Sequence, residues 1–412
     1  MTPQQYEHEA RQQANIRLLT ANERRKCRTP MALIVRSSIL GGIGMSLRQT
    51  AITAAALSFV ALASAGLAEA DDLPIKAEKK AADLPFFLLN DNRLTYSYIF
   101  SGTDPGVWTR GPNGSIDGKT AKQVFSFTHF DIWAYGANLF QVSMFKSGQN
   151  DPASPCVTNN WTIVDVTTNL PTSCAGATEI YGFFRSTFGW NEIFGTKAFT
   201  MGPLHNVSFE VGMDANTENN FVAPAKRDVV AGLQFQFDLP YKGFFNVAPL
   251  MYWEFSNHNS FAECGLFGPG IPGVTCLVNG STHFNPTWAV ETNYYMDLGF
   301  LPESMRYFSI SGRAAWYGNK GTENNPLPFM APGNINTVVE FNSEPIRLTL
   351  DASKAIWGPK YTHFVDVWVA YRYWQNKFGF NHSLSTVCNV SPGVSNNSCT
   401  ESSLYSGITM KF

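Results

Sequence analysis

From residue 92 to the end of the chain, apolar and polar side chains exchange places at every second position in one short segment after another. That is the period of a strand whose two faces meet different surroundings. In 227–238, Val229, Ala231, Leu233, Phe235 and Phe237 share one face while Gln234, Gln236 and Asp238 share the other. In 362–376, Val365, Val367, Val369, Tyr371 and Tyr373 oppose Asp366, Trp368, Arg372 and Trp374. The last segment, 404–412, alternates in the same way up to Phe412, with Ile408 and Met410 against Thr409 and Lys411. Twelve such segments are expected: 92–102, 123–133, 138–147, 178–189, 204–214, 227–238, 244–256, 284–298, 306–317, 336–351, 362–376 and 402–412. Each is close to, or slightly longer than, the roughly 9–11 residues with which a tilted strand crosses a bilayer. The pattern predicts an all-β fold, a transmembrane antiparallel up-and-down β-barrel of about twelve strands.

The connections sort by length. Those after odd-numbered strands are long (103–122, 148–177, 215–226, 257–283, 318–335, 377–401), and those after even-numbered strands are generally shorter, down to 134–137. Long external loops alternating with short periplasmic turns fit an outer-membrane barrel. Six cysteines fall in these long loops as three local pairs, Cys156 with Cys174, Cys264 with Cys276, and Cys388 with Cys399. An even count in an exported chain favours disulfides that pin loops, although six cysteines allow 15 connectivities. No CxxC spacing or nearby histidine pair supports a metal site instead.

Upstream of the barrel, 45–70 has the anatomy of a secretory signal peptide: Arg48, an apolar run over 51–63, then small residues with cleavage expected after Ala70. Residues 1–44 read as an upstream extension from a misassigned start, 71–91 as a periplasmic N-terminal segment, and 92–412 as the barrel. The first 70 residues hold eight Lys/Arg and four Asp/Glu, so their removal takes the formal charge from −2 to −6. A mildly acidic exported chain gives no reason to expect a nucleic-acid partner. Aromatic residues make up 14% of the chain and charged ones only 15%, which suits many weakly apolar strands better than a few spanning helices.

Facing follows from cost. An Arg or Lys on the lipid face at midplane costs roughly 2–4 kcal/mol, so charged faces turn inward. This places Glu179, Tyr181, Phe183, Arg185, Glu210, Tyr252, Glu254, Glu291, Tyr295, Arg313, Arg347, Asp366, Trp368, Arg372 and Trp374 in the lumen. Trp253, Trp288 and Trp316 fall on the lipid face near the external ends, as an aromatic girdle requires. In 123–133 the aromatics Phe125 and Phe127 share a face with His129 and Asp131, and Phe127, His129 and Asp131 are taken as pore-lining; a register slip is the other reading. With Arg93 also counted among the bases, lumen acids nearly balance lumen bases on this assignment, which points to a polar solute that is uncharged or zwitterionic. Structural ion pairs filling the interior are an equally good account of any single residue.

The stretches 127–136 (FTHFDIWAYG), 181–190 (YGFFRSTFGW) and 207–214 (VSFEVGMD) resemble the outer-membrane nucleoside-channel family known as Tsx, and more closely its long-loop members in alphaproteobacteria. The likeness spans most of 90–412; the chain departs from the family pattern in its longer, cysteine-bearing external loops. The resemblance implies a monomeric twelve-stranded barrel in outer-membrane lipid that passes nucleosides by diffusion. It also implies a terminal aromatic, Phe412, that is read by the outer-membrane insertion machinery.

The expected function is therefore a passive channel for small polar solutes, most simply nucleosides, with no cofactor and no catalytic residue. A general porin is one alternative. A plugged barrel whose loops bind a surface partner is another. An enzyme would need an oriented nucleophile and base. The nearest candidates, His258-Asn259-Ser260 and Asn381-His382-Ser383, sit at or beyond strand ends in Asn/Ser-rich loops.

Overall fold

The computed structural model describes residues 86–110, 113–149, 151–153, 176–220, 225–258, 264, 271–272, 278–321, 337–385 and 387–412. Among them, twelve strands form one closed antiparallel barrel. In chain order these are β1 (Phe87–Thr103), β2 (Lys119–Trp133), β3 (Gly136–Ser147), β4 (Thr178–Gly189), β5 (Leu204–Glu218) and β6 (Ala225–Leu239). They continue with β7 (Gly243–His258), β8 (Thr287–Asp297), β9 (Phe308–Tyr317), β10 (Glu340–Asp351), β11 (Val365–Gln375) and β12 (Thr400–Lys411). Each strand pairs with its sequence neighbours, and β12 returns to β1 in the register Arg93↔Lys411 through Ile99↔Tyr405. That closure removes the exposed edges an open sheet would present.

Each strand overlaps the segment its alternation predicts, and the departures have local causes. β1 starts at Phe87, inside the segment read as a periplasmic tail, because Leu88 and Leu89 pack against buried Phe130, Ile132 and Ala137. β8 starts at Thr287 rather than 284, directly after Pro286, which has no N–H to donate to a neighbouring strand. Two short helices, α1 (Trp190–Ile193) and α2 (Ala352–Trp357), lie in connections at the short-turn end. Asp351 caps α2 by accepting a hydrogen bond from Lys354 N at 2.9 Å. The residues before 86, and with them the expected signal peptide and extension, lie outside the described part.

Polarity is inverted relative to a water-soluble fold. The outward positions carry exposed Leu94, Tyr96, Phe125, Met144, Met213, Met251, Val367, Val369, Ile408 and Met410. Trp253 and Trp288 stand outward at the long-loop end, with Trp253 Nε1 donating to Phe284 O at 3.1 Å. The inward positions carry buried polar and charged groups, among them Arg93, Arg185, Glu210, Glu254, Asp366 and Glu401. A band of contiguous apolar surface around a whole barrel is not tolerated in water and is what hydrocarbon requires.

Of the loop cysteines, Cys388 is bonded to Cys399 across 11 residues, and Cys264 is also disulfide-bonded. Cys156, Cys174 and Cys276 lie outside the described residues.

Candidate functional site: a charged constriction in the lumen

Cross-strand register shows which side chains share the interior. Ser126 opposes Ser143, and their hydroxyls meet at 2.8 Å. From that inward pair the parity runs round the wall: Ser143 opposes Tyr181, Phe183 opposes Asp214, Asp214 opposes Asp228, and Asp228 opposes Glu254. On this register Glu179, Tyr181, Phe183, Arg185, Glu210, Tyr252, Glu254, Glu291, Tyr295, Arg313, Arg347, Asp366, Trp368, Arg372 and Trp374 all point inward.

Phe127, His129 and Asp131 do not. Phe127 opposes Leu94 and Val142, and its ring centroid lies 6.5 Å from that of exposed Phe412, so this face of β2 looks outward. The pore-lining reading of these three is corrected, for a physical reason. His129 and Asp131 lie near the short-turn end of β2, beyond the apolar stretch of Phe125 and Phe127, and are satisfied there by neighbours. His129 Nδ1 meets Asn92 Oδ1 at 2.9 Å, and Asp131 accepts from Asn138 Nδ2 at 2.8 Å.

Arg185 organises the long-loop half of the lumen. Its Nη1 donates to Asp214 at 2.8 Å, on the adjacent strand, while Nη2 and Nε donate to Glu291 at 2.7 and 3.1 Å. Glu291 is on β8, and three strands (β5, β6 and β7) lie along the wall between it and β4. The guanidinium therefore reaches across the lumen and ties two parts of the wall together. A fork-like pairing of this kind is stronger and more directional than a lysine contact would be. Glu210 stands 3.8 Å away, Tyr317 OH donates to Glu291 at 3.1 Å, and the guanidinium carbon lies 4.4 Å from the centre of the Phe183 ring.

Gly212 makes room for this arrangement. A Cβ on it would stand 2.5 Å from Arg185 Cδ and 2.5 Å from the Phe184 carbonyl oxygen. Gly212→Ala is thus expected to destabilise the barrel by about 1–3 kcal/mol, the usual cost of overpacking. Urea unfolding in micelles checks this; a midpoint equal to wild type would mean the arginine does not fill that space.

Other inward charges are paired. Arg347 donates to Glu344 at 2.6 Å and stacks 3.9 Å from the Trp368 ring centre. Lys226 meets Asp228 at 3.1 Å, Lys411 meets Asp91 at 2.9 Å, and Arg372 meets Glu401 at 2.5 Å. Two lysines arrive from the long-loop side: Lys320 binds Glu254, and Lys377 binds Glu401 at 3.2 Å and the Thr103 carbonyl. Arg313 differs from all of these. It is inward on β9, opposite Asn293 and Glu344, yet it is exposed, and among the described residues its guanidinium makes no hydrogen bond or ion pair within 4 Å. An exposed inward arginine shows that solvent-accessible space persists in the lumen at this level.

The wall is more acidic than the sequence reading expects. Asp91, Asp214, Glu218, Asp228, Glu340, Glu344 and Glu401 are also inward, against the further bases Arg93, Lys122, Lys226 and Lys411. Alternation alone places Asp214 and Asp228, which share parity with Glu210 and Gln234. Glu344 is hidden by the bulge beside Pro345, which lets Glu344 and Arg347 face inward three positions apart. Nothing in the loop sequence marks Lys320 or Lys377. Of the nucleophile-and-base candidates, His382 is engaged by Asn376 at 2.7 Å, and the side chain of His258 lies outside the described residues.

No family model matches the chain, and no curated protein matches it. Solved structures do. An outer membrane channel from Pseudomonas putida F1 is 10% identical with a TM-score of 0.38, the match covering 81% of this chain and 100% of that one. The translocator domain of the autotransporter NalP from Neisseria meningitidis is 9% identical with a TM-score of 0.35, covering 79% of this chain and 89% of that one.

Proposed function

We propose that this protein is a passive outer-membrane channel for small polar solutes, with nucleosides as the solute class that its interior suits best. The observation that carries the reading is the exposed, inward-facing Arg313 in a closed barrel with an apolar exterior and a polar interior. Twelve strands lie between the roughly eight that side chains fill and the 16–18 of open porins, so a narrow lined passage is the natural product. Arg185 and Glu291 constrict it further. The rings of Phe183 and Trp374, each with a cation against it (Arg185 and Lys377), and the amides of Asn246 and Asn293, joined at 3.1 Å, bring aromatic, charged and hydrogen-bonding groups into one lumen. Base-aromatic stacking contributes about 1–3 kcal/mol per base in single-stranded nucleic-acid sites. The resemblance of 127–136, 181–190 and 207–214 to the Tsx family supports the same solute class, and the acid excess of the wall adds a preference for cations over anions.

Liposome swelling tests the proposal. Nucleosides are expected to enter faster than size-matched sugars, and equal rates would leave a general porin in place of a nucleoside channel. A second reading, a plugged barrel whose loops serve a surface partner, is favoured by one observation. Lys320 and Lys377 reach from the long-loop end onto Glu254 and Glu401, both at most 1% exposed. Single-channel recording in a planar bilayer separates the two, because a plug carries no steady current.

A further inference from the structure

Near the long-loop rim, three acidic side chains from different parts of the barrel converge. Asp104 follows β1, Glu179 opens β4 and Glu218 ends β5, and each offers a carboxylate oxygen within 4.8 Å of the others. A fourth carboxylate, Asp151, lies in the connection after β3 and is close enough to act electrostatically on Asp104 and Lys122. The nearest base, Lys122, is committed to Asp104: its Nζ is 2.7 and 3.0 Å from the two Asp104 oxygens and 3.9 Å from Glu179.

The remaining acids are only partly satisfied: Glu179 accepts from Asn216 Nδ2 at 3.2 Å and Asp151 Oδ1 accepts from Ala153 N at 2.9 Å. Glu218 is 7% exposed and, among the described residues, its Oε1 has no hydrogen-bond partner; Asp151 is 1% exposed and its Oδ2 has none there either. A buried carboxylate without a partner costs several kcal/mol, so such groups are found with a counter-charge or a metal. Glu401, which shares Lys377 with this group and pairs with Arg372, completes the local set. Among the described residues, five acids (Asp104, Asp151, Glu179, Glu218, Glu401) face three bases (Lys122, Arg372, Lys377), an excess of two negative charges.

We propose that this carboxylate group binds one divalent cation, Ca²⁺, whose protein ligands come from Glu218, Glu179 and Asp104, with Asp151 adding negative charge beside them. The donor set is all oxygen, without the histidine or cysteine that zinc selects. Carboxylates on a strand end, a strand start and a connection form an irregular shell. Ca²⁺ accepts six to eight oxygens at about 2.3–2.6 Å in such shells, whereas Mg²⁺ demands a near-ideal octahedron. The ion offsets the two excess charges and ties the connection that follows β1 to the long-loop ends of β4 and β5. It is independent of the solute the lumen carries.

The test uses the full chain, refolded in detergent micelles and stripped with EDTA. Titration with CaCl₂ followed by calorimetry is expected to show one saturable site per chain, with Mg²⁺ at least tenfold weaker. Glu218→Gln is expected to weaken Ca²⁺ at least tenfold. Glu179→Gln, which changes a partly exposed residue, is expected to weaken it by a smaller factor and serves if Glu218→Gln fails to fold, as judged by heat-dependent migration on a gel. Absence of saturable binding below ~10 mM, beyond the roughly 10⁻⁴–10⁻³ M of extracellular calcium modules, overturns the proposal. So does wild-type affinity in the folded variants; the four carboxylates would then be balanced by protons and Lys122 alone.

Discussion

Arg185→Gln is expected to cost the barrel about 3–5 kcal/mol and to make the open channel more cation-selective. The first effect follows from what the substitution leaves behind. Asp214 and Glu291 each lose a direct contact to the guanidinium, and Glu210 loses a cation 3.8 Å away. Gln234 still donates to Glu210 at 2.7 Å and Tyr317 to Glu291 at 3.1 Å, but neither carries a charge. Breaking a buried pair from one side leaves uncompensated charge, which is the expensive case. The second effect follows from position, since Arg185 is the cation at a bridge across the lumen and its loss exposes a ring of carboxylates to passing ions. Urea unfolding in lipid vesicles measures the first effect, and the reversal potential under a KCl gradient measures the second. Removing Glu291 as well should recover part of the stability, because one unpaired acid disappears. If Arg185→Gln unfolds with wild type and keeps its selectivity, the bridge neither holds the wall nor narrows the passage.

How much of this could be read from the amino-acid order depends on the distance over which each interaction acts. Strand positions are local: period-two alternation in 227–238 or 362–376 is written into consecutive residues, and β6 and β11 form there. Facing is nearly local, and it fails where two signals conflict within one strand. On β2 the aromatics and the ionisable groups share a face, and the outcome is decided by neighbours that are far away in sequence, Leu94 on β1 and Phe412 beyond β12. A bulge also defeats strict alternation, because beyond Pro345 the inward set shifts by one and Glu344 joins Arg347. Partnering is not local at all. That Arg185 chooses Glu291, 106 residues away, or that Lys377 reaches Thr103, depends on barrel closure and loop path, neither of which leaves a mark in short windows of sequence.

The same distinction separates inward charges that hold the barrel from those that meet the solute, and Arg313 is where it can be measured. Arg313→Glu is expected to cost only about 0.5–1 kcal/mol, since the side chain is exposed and gives up no ion pair, while the new carboxylate faces Glu344 across the strand pair. It should nevertheless change permeation strongly. It replaces a positive charge by a negative one, a difference of two units, in a lumen whose low-dielectric wall focuses the field. The reversal potential under a KCl gradient is expected to move toward the cation limit, and nucleoside flux in swelling assays to fall if the guanidinium contacts the sugar or base. Arg347→Glu provides the contrast. Arg347 is bonded to Glu344 and stacked on Trp368, so its reversal should destabilise the barrel as well as alter selectivity. Should Arg313→Glu destabilise as much as Arg347→Glu, or leave conduction unchanged, the space around Arg313 is not on the solute's path. The plugged-barrel reading would then gain the support that the channel loses.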